Sequence, residues 1–268
     1  MSSIIAFAGN VPANYDKHLG PVLFEPYALD MVERLKNDTL RNVLEIACGT
    51  GRVTRHLARL LAPGGRLTAT DLNQDMLNIA AQKVPGERVA FEVADALNLP
   101  FNDNSFDHAV CQYGVMFFPD KLLAFRETRR VLHPGGKFLF NTWDKLANNP
   151  VNDVMNNVMQ EVLGSEAPDF LEKGPFSFHD PEVIDSLMTE AGFRDITIER
   201  VQLSSSYATA SSMMQGIVDG SPLSSYLIER DPAVQEKVRN RIQEELIARF
   251  GETNALLKLQ AFVCQGFK

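Results

Sequence analysis

Val43-Leu44-Glu45-Ile46-Ala47-Cys48-Gly49-Thr50-Gly51-Arg52 decides how this chain folds. An apolar, strand-like run ends in a turn with two glycines and passes into a helical pattern over Gly51–Leu61. Glycine at a strand-to-helix turn meets two needs: positive φ and close approach of backbone to a ligand. The first N–H groups of the following helix have no partner within it and attract polar or negative ligand atoms. The next strand-like run, Leu67–Thr70, ends at Asp71, 20 residues after Gly51. A carboxylate at that strand tip can accept hydrogen bonds from both hydroxyls of a ribose. A glycine pair alone is a weak signal. Set between strand and helix, with an acid at the next strand tip, it reads as a nucleoside site.

Working outward, strand-like runs recur at Val43–Ala47, Leu67–Thr70, Val89–Val93, His108–Cys111 and Lys137–Thr142, with starts 24, 22, 19 and 29 residues apart. Helical patterns fill the first, second and fourth gaps at Gly51–Leu61, Asn73–Lys83 and Asp120–Leu132, while the third gap is mostly a loop, Leu97–Ser105. Strand–helix alternation of this kind predicts an α/β fold with parallel strands and right-handed helical crossovers. Upstream, Leu23, Tyr27, Met31 and Leu35 recur every four positions and predict a helix over Val22–Lys36; the first fourteen residues lack periodicity and are expected to be mobile.

After Trp143 the rhythm changes. A helical stretch over Asn152–Leu163 precedes a Gly/Pro-punctuated loop that runs to Phe178. Asp180-Pro181 and Asp231-Pro232 each read as an N-cap followed by proline at the first helical position, with Gly192 and Gly251 just past the helix ends. The second of these helices carries Val234, Val238, Ile242 and Leu246 on one face. Ile196–Val201 and Leu257–Cys264 read as strands, small helices are expected within 208–230, and Ser204–Ser206 reads as a solvated loop.

Composition bounds the function. At roughly 150 residues per domain, 268 residues correspond to about 1.8 domains, enough for a full core without disulfides or metals. Lys+Arg 26 against Asp+Glu 34 gives a net charge of −8, which argues against a nucleic-acid partner and against an anionic membrane surface. No stretch approaches the ~18 apolar residues of a membrane-spanning helix. The N-terminal apolar run Ile4–Ala8 has no Lys or Arg before it and makes a poor signal peptide. Three cysteines, Cys48, Cys111 and Cys264, each in an apolar run, read as buried thiols in a reducing compartment, so a cytoplasmic location is expected. The five histidines never pair at metal-ligand spacing, and no metal site is expected.

Two nucleoside cofactors suit the glycine loop. A dinucleotide site prefers a third small residue where this chain has Thr54. Glu45, an acid inside a buried strand, must be hydrogen-bonded or paired, either by loop N–H groups or by a ligand ammonium. Both departures suit S-adenosylmethionine (SAM) better than NAD. Here the sequence resembles the class I SAM-dependent methyltransferases. Val43–Arg52 is similar to their first motif, acidic-x-x-x-Gly-x-Gly, and Asp71–Leu77 to their second. Ala94-Asp95-Ala96 with Leu99-Pro100-Phe101 and Ser105-Phe106-Asp107 resembles the third motif and its lead into the fourth strand. Val131-Leu132-His133-Pro134-Gly135-Gly136 resembles the turn before the fifth strand. The resemblance covers residues 14–143, is nearest in flavour to quinone-biosynthesis C-methyltransferases, and extends to Tyr15–Pro21 with Phe24, Pro26 and Tyr27.

The resemblance implies a Rossmann-like sheet of seven strands, the last antiparallel, with helices on both faces. Within one methyltransferase domain over 1–268, residues 14–143 are expected to form the SAM-binding core, and 145–180 and 203–254 an inserted helical cap over the C-terminal edge of the sheet, which binds the acceptor. It implies that Gly49, Gly51 and the Ala47 backbone cradle the methionyl part of SAM and that Glu45 organises the loop or meets the ammonium. Asp71 would hold the ribose; Leu72 and Met76 would pack on adenine; Asp95 and the Ala96 N–H would bind its edge. Gln112 would line the methyl-transfer side and Tyr15 would close an N-terminal lid. Each residue also has a plain structural reading: helix-start acid for Asp71, core for Met76, turn-former for Asp95, staple of the first helix for Tyr15. His18 and Tyr113 are the candidate general bases, whereas His56, His108, His133 and His179 read as structural or exposed. The expected activity is methyl transfer from SAM to the O, N or C atom of a small molecule, leaving S-adenosylhomocysteine. The rivals are a non-catalytic SAM-binding sensor and an NAD-dependent oxidoreductase.

Overall fold

The computed structural model describes residues 9–268. The apolar run Ile4–Ala8, and the first eight of the fourteen residues expected to be mobile, lie outside the described residues. Seven strands form one sheet in the order β3-β2-β1-β4-β5-β7-β6. Their ranges are β1 Asn42–Ile46, β2 Arg66–Asp71, β3 Val89–Val93, β4 Phe106–Gln112, β5 Leu132–Trp143, β6 Arg194–Thr209 and β7 Thr253–Phe267. The pairs β1·β2, β1·β4, β2·β3 and β4·β5 are parallel, and β7 runs antiparallel to β5, with Phe140 opposite Cys264. The expected seven-stranded architecture with an antiparallel last strand is the observed one.

Local sequence explains the elements. Val43, Leu44, Ala109, Val110, Phe138 and Phe140 are buried, the continuous apolar character of strands covered on both faces. The crossover helices are α3 Thr54–Leu60, α4 Gln74–Lys83 and α5 Lys121–Val131. Asn73 caps α4 by accepting the Asp75 and Met76 N–H groups, and Asp120 caps α5 by accepting the Leu123 N–H. Phe125, on α5, meets Phe138 and Phe140 across the sheet face, with ring centroids 5.7 and 5.3 Å away. Between β3 and β4 there is no helix, as the sequence predicts. The chain leaves β1 towards β2 on one side and returns as β4 on the other. Such a switch point opens a crevice beyond the carboxyl ends of β1 and β4, where open α/β sheets bind ligands.

Three expectations need correction. The helix assigned to Val22–Lys36 begins far earlier: a helical turn α1 over Val11–Asn14 leads into a π-helical segment Tyr15–Phe24 and then α2, Glu25–Leu35. Pro21 hid this continuity; the wider turn accommodates it, with the Glu25 N–H donating five residues back to the Gly20 carbonyl. Residues 11–14, expected to be mobile, are helical. Ser204–Ser206, read as a solvated loop, lies inside β6. β6 ends the sheet order, and polar residues are what an edge strand carries. The Ser205 hydroxyl donates to the Val22 carbonyl at 2.6 Å.

The chain divides into two compact units. The sheet unit comprises Tyr27–Asp144, Gly174–Val201 and Ala261–Lys268. It includes the helix Pro181–Glu190, capped by Asp180 as the sequence predicts. Within it the Tyr27 hydroxyl donates to the Val201 carbonyl at 2.9 Å, and the Thr142 hydroxyl to the Phe178 carbonyl at 2.7 Å.

The helical unit comprises the described residues up to Pro26, Lys145–Lys173 and Gln202–Gln260. Its longest helix, Pro232–Phe250, buries Val238, Ile242 and Leu246 at four-residue spacing and packs on the helices Pro150–Leu163 and Ala210–Asp219. Arg241 pairs with Glu161 at 2.9 Å and Arg249 with Asp153 at 3.0 Å. The Tyr207 hydroxyl donates to the Gly251 carbonyl at 2.6 Å. No helix among the described residues is long and apolar enough to cross a membrane.

Candidate active site

The site grows from the carboxyl tip of β1. Once the strand ends at Ile46, Ala47 takes φ +54°, Gly49 +56° and Gly51 +78°. The two glycines serve different purposes. At Gly51 a Cβ would lie 3.0 Å from the Ala80 Cβ, so its absence lets α4 press against the loop. At Gly49 a Cβ would meet no atom of the described residues within 4 Å, so glycine there supplies the backbone conformation and leaves the space beyond the loop open to them. The Cys48 N–H donates to the Thr70 carbonyl at 2.8 Å and ties the loop to β2.

Asp71 closes this tie from the tip of β2. Its Oδ2 accepts the Gly49 N–H at 2.8 Å, and its Oδ1 accepts the Asn73 N–H at 2.9 Å. Burial pushes its pKa up, against the pull of the Asn73, Gly49 and Leu72 N–H groups. Next to it, Leu72 is 64% exposed, an uncovered apolar side chain at the crevice, while Met76 is buried.

Glu45 is the electrostatic oddity. It is 1% exposed, within apolar β1, and its Oε2 has no hydrogen-bond partner among the described residues. Burial pushes its pKa up to about 8. The Thr54 hydroxyl and N–H pull it down, though neither Thr54 Oγ1 nor Glu45 Oε2 makes a well-formed bond, and the neighbouring Asp71 carboxylate raises it further. A buried carboxyl with an unspent oxygen fits a cationic ligand group better than a purely structural position.

The remaining expected residues distribute as follows. Asp95 lies past β3, is exposed, and accepts the Leu97 N–H at 2.9 Å in a turn; Ala96 is buried beside it. Gln112 ends β4 in register with Asn141 of β5. Tyr113 follows with φ +52°, its ring stacked 3.9 Å from Trp143 and edge-on to Tyr27 at 5.7 Å. The sheet unit thus holds Glu45, Ala47, Gly49, Gly51, Asp71, Leu72, Met76, Asp95, Ala96, Gln112 and Tyr113.

Tyr15 and His18 belong to the helical unit. The Tyr15 ring stacks on Phe24 at 4.8 Å. His18 Nδ1 lies 2.9 Å from the Ser212 hydroxyl; burial and Lys17 lower its pKa, against Asp219.

Two residues of the β4–β5 tips were not singled out in the sequence. Asn141 is fully buried, its Oδ1 accepting the Tyr113 N–H at 2.9 Å. Gly114 packs where a Cβ would lie 2.6 Å from both the Ala47 Cβ and the Cys111 Sγ. The available signal was one polar residue ending the apolar run Phe138–Phe140, and a glycine just past the fourth strand.

Other groups have structural explanations. A shallow cavity of about 500 Å³ at the amino ends of β1 and β4 is lined in part by Asp38, His108, His133 and Lys137. There Asp38 pairs with Lys137 at 2.5 Å and with His108 at 3.3 Å. Among the described residues no group of His, Cys, Asp and Glu is placed to hold a metal. All three cysteines are buried free thiols with raised pKa values; burial takes Cys111 to about 12.

Residues 44–140 match the methyltransferase domain family. A demethylmenaquinone methyltransferase of Staphylococcus epidermidis is 28% identical over 204 residues, covering 70% of this chain and 84% of that protein. The structure of the YcgJ protein from Bacillus subtilis superposes with a TM-score of 0.59 at 20% identity, over 90% of this chain and 98% of that one. Phosphoethanolamine N-methyltransferase 2 of Haemonchus contortus, solved in complex with S-adenosyl-L-methionine, superposes with a TM-score of 0.61 at 19% identity, over 96% of this chain and 56% of that one. Domain match, strand order and the succession of motifs around the glycine loop agree: residues 44–140 match the methyltransferase domain, and the seven-stranded sheet is similar to the class I SAM-dependent methyltransferase fold.

Proposed function

We propose that this chain binds SAM in the crevice beyond β1 and transfers its methyl group to a small-molecule acceptor. The observation that carries this is Asp71 at the tip of β2, bonded through Oδ2 to the Gly49 N–H of an open glycine loop. The unspent Oε2 of Glu45 suits the methionyl ammonium, and exposed Leu72 suits the adenine face. When bound, SAM supplies a methyl carbon activated by a sulfonium, which an acceptor lone pair displaces to leave a neutral thioether.

The protein's own contribution is placement. Ala47, Gly49 and Gly51 hold the methionyl chain by backbone contacts, Asp71 takes the ribose hydroxyls, and Leu72 and Met76 pack on the adenine. Asp95 and the Ala96 N–H read the adenine edge, and Gln112 lines the methyl-transfer side. Tyr15 serves as the lid residue. Alignment of donor and acceptor is worth about 7–11 kcal/mol in favourable cases, so the chemistry asks little more of the side chains. An acceptor that must lose a proton early also needs a base. His18 suits that role: its lowered pKa keeps it neutral near pH 7, and in the tautomer whose Nδ1–H donates to the Ser212 hydroxyl, Nε2 is the nitrogen that takes the proton. Tyr113 is the second candidate.

A small-molecule acceptor is supported by the net charge of −8 and by relatives named for quinone and ethanolamine substrates. Titration calorimetry with SAM, S-adenosylhomocysteine and NAD tests the cofactor, and preferential NAD binding overturns the reading. Transfer of labelled methyl to a panel of phenols, quinols and amines tests the reaction. Tight SAM binding with no transfer across the panel makes the chain a sensor instead.

A further inference from the structure

We propose that Asn141 and Gly114 are positioning residues of the cofactor site: Asn141 pins the left-handed turn at Tyr113, and Gly114 lets that turn close against Ala47 of the glycine loop. The proposal rests on the crevice being a SAM site.

Asn141 is 0% exposed and follows Phe138, Leu139 and Phe140 in β5. A buried amide among apolar neighbours costs free energy unless its hydrogen bonds are made. Its Oδ1 accepts the Tyr113 N–H at 2.9 Å, and its Nδ2 has no partner among the described residues. A leucine of similar volume would fill the same space without that cost; it cannot hold the Tyr113 N–H. That hold matters because Tyr113 has φ +52°, where a bulky L-residue is strained and stays only if its surroundings fix it.

The fixed turn delivers Gly114 to the glycine loop. A Cβ at Gly114 would sit 2.6 Å from the Ala47 Cβ and 2.6 Å from the Cys111 Sγ, closer than any real contact. Ala47 is itself in the left-handed region at φ +54°, two residues before Gly49. Pushing Ala47 away therefore moves the chain leading to the N–H that Asp71 holds. The tips of β1, β4 and β5 form one packed unit, with Asn141 at its far end.

The test is the affinity for S-adenosylhomocysteine, measured by titration calorimetry on wild type, N141L, N141D and G114A, with circular dichroism and melting curves for each. N141L and G114A are expected to bind at least ~10-fold more weakly with unchanged helix content. N141D keeps an oxygen for the Tyr113 N–H and is expected to stay within about threefold of wild type. Folded N141L or G114A with wild-type affinity overturns the proposal. N141D as weak as N141L also overturns it, by reducing Asn141 to a packing role. Should N141L fail to fold, G114A and N141D decide by the same measure. Wild-type protein that binds no S-adenosylhomocysteine overturns the underlying site reading, a distinct result.

Discussion

Asp71 Oδ2 accepts the Gly49 N–H at 2.8 Å, so the acid of β2 and the glycine loop after β1 are one assembly before any ligand arrives. Its Oδ1 meanwhile fixes the Asn73 N–H at the start of α4. On the proposed binding mode the same carboxylate also takes the ribose hydroxyls. Asp71→Ala then removes both the ligand contacts and the brace that shapes the loop. Hydrogen bonds to a charged group are worth roughly 1.5–3 kcal/mol each, so SAM affinity should fall by about 100-fold. The fold should survive, because α4 retains its Asn73 cap. Calorimetry beside a circular dichroism spectrum checks both halves. Unchanged affinity removes Asp71 from the site.

The two loop glycines should separate in mutagenesis. Both hold positive φ, so an alanine at either costs about 1–2 kcal/mol of backbone strain. Gly51→Ala adds a collision with Ala80 and should lower the melting temperature well beyond the few degrees that strain alone accounts for. Gly49→Ala meets no described protein atom within 4 Å and should melt within a few degrees of wild type, yet on the proposed binding mode its methyl enters the cradle and SAM affinity falls at least ~10-fold. Equal melting losses for the two variants would contradict this assignment.

How far these features could be read in advance depends on the range of the physics involved. The glycine loop, the Asp71 tip and the caps at Asn73, Asp120, Asp180 and Asp231 are local, and each leaves its signature within a few residues. The continuity of the helical run from Val11 was obscured because Pro21 is a local stop signal that a π-helical turn tolerates. Ser204–Ser206 looks like a loop by composition and is a strand only through its place at the end of the sheet. Asn141 and Gly114 act through contacts with Tyr113 and Ala47 that only the sheet order creates.

The cysteines should be silent in the folded protein. Cys48, Cys111 and Cys264 are buried, and burial raises each thiol above its ordinary pKa, so none carries the thiolate that reacts. Titration with a chromogenic disulfide at pH 8 should detect no thiol in native protein and all three in guanidinium. Rapid native labelling of Cys48 would show that the loop opens far more readily than its ties to Thr70 imply.

Glu45 sets a pH dependence whose sign is opposite to that of most carboxylates. Its pKa in the folded chain is about 8, against an ordinary value of 4.5. Between those limits the folded form holds a proton that the unfolded form has lost, so stability is full below about 4.5 and falls as pH rises towards 8. Asp71, also raised, adds to the same trend. The loss across the window is of order a few kcal/mol, at 1.36 kcal/mol per pKa unit. Denaturant unfolding from pH 5 to 8.5 should show the slope in wild type and a flatter one in Glu45→Gln, whose amide does not titrate. On the proposed binding mode an ammonium beside Glu45 favours the carboxylate, so SAM binding near pH 7 should expel a proton. Binding heats in buffers of different ionisation enthalpy should then diverge for wild type and coincide for Glu45→Gln. Heats that coincide for both proteins would place the ammonium elsewhere.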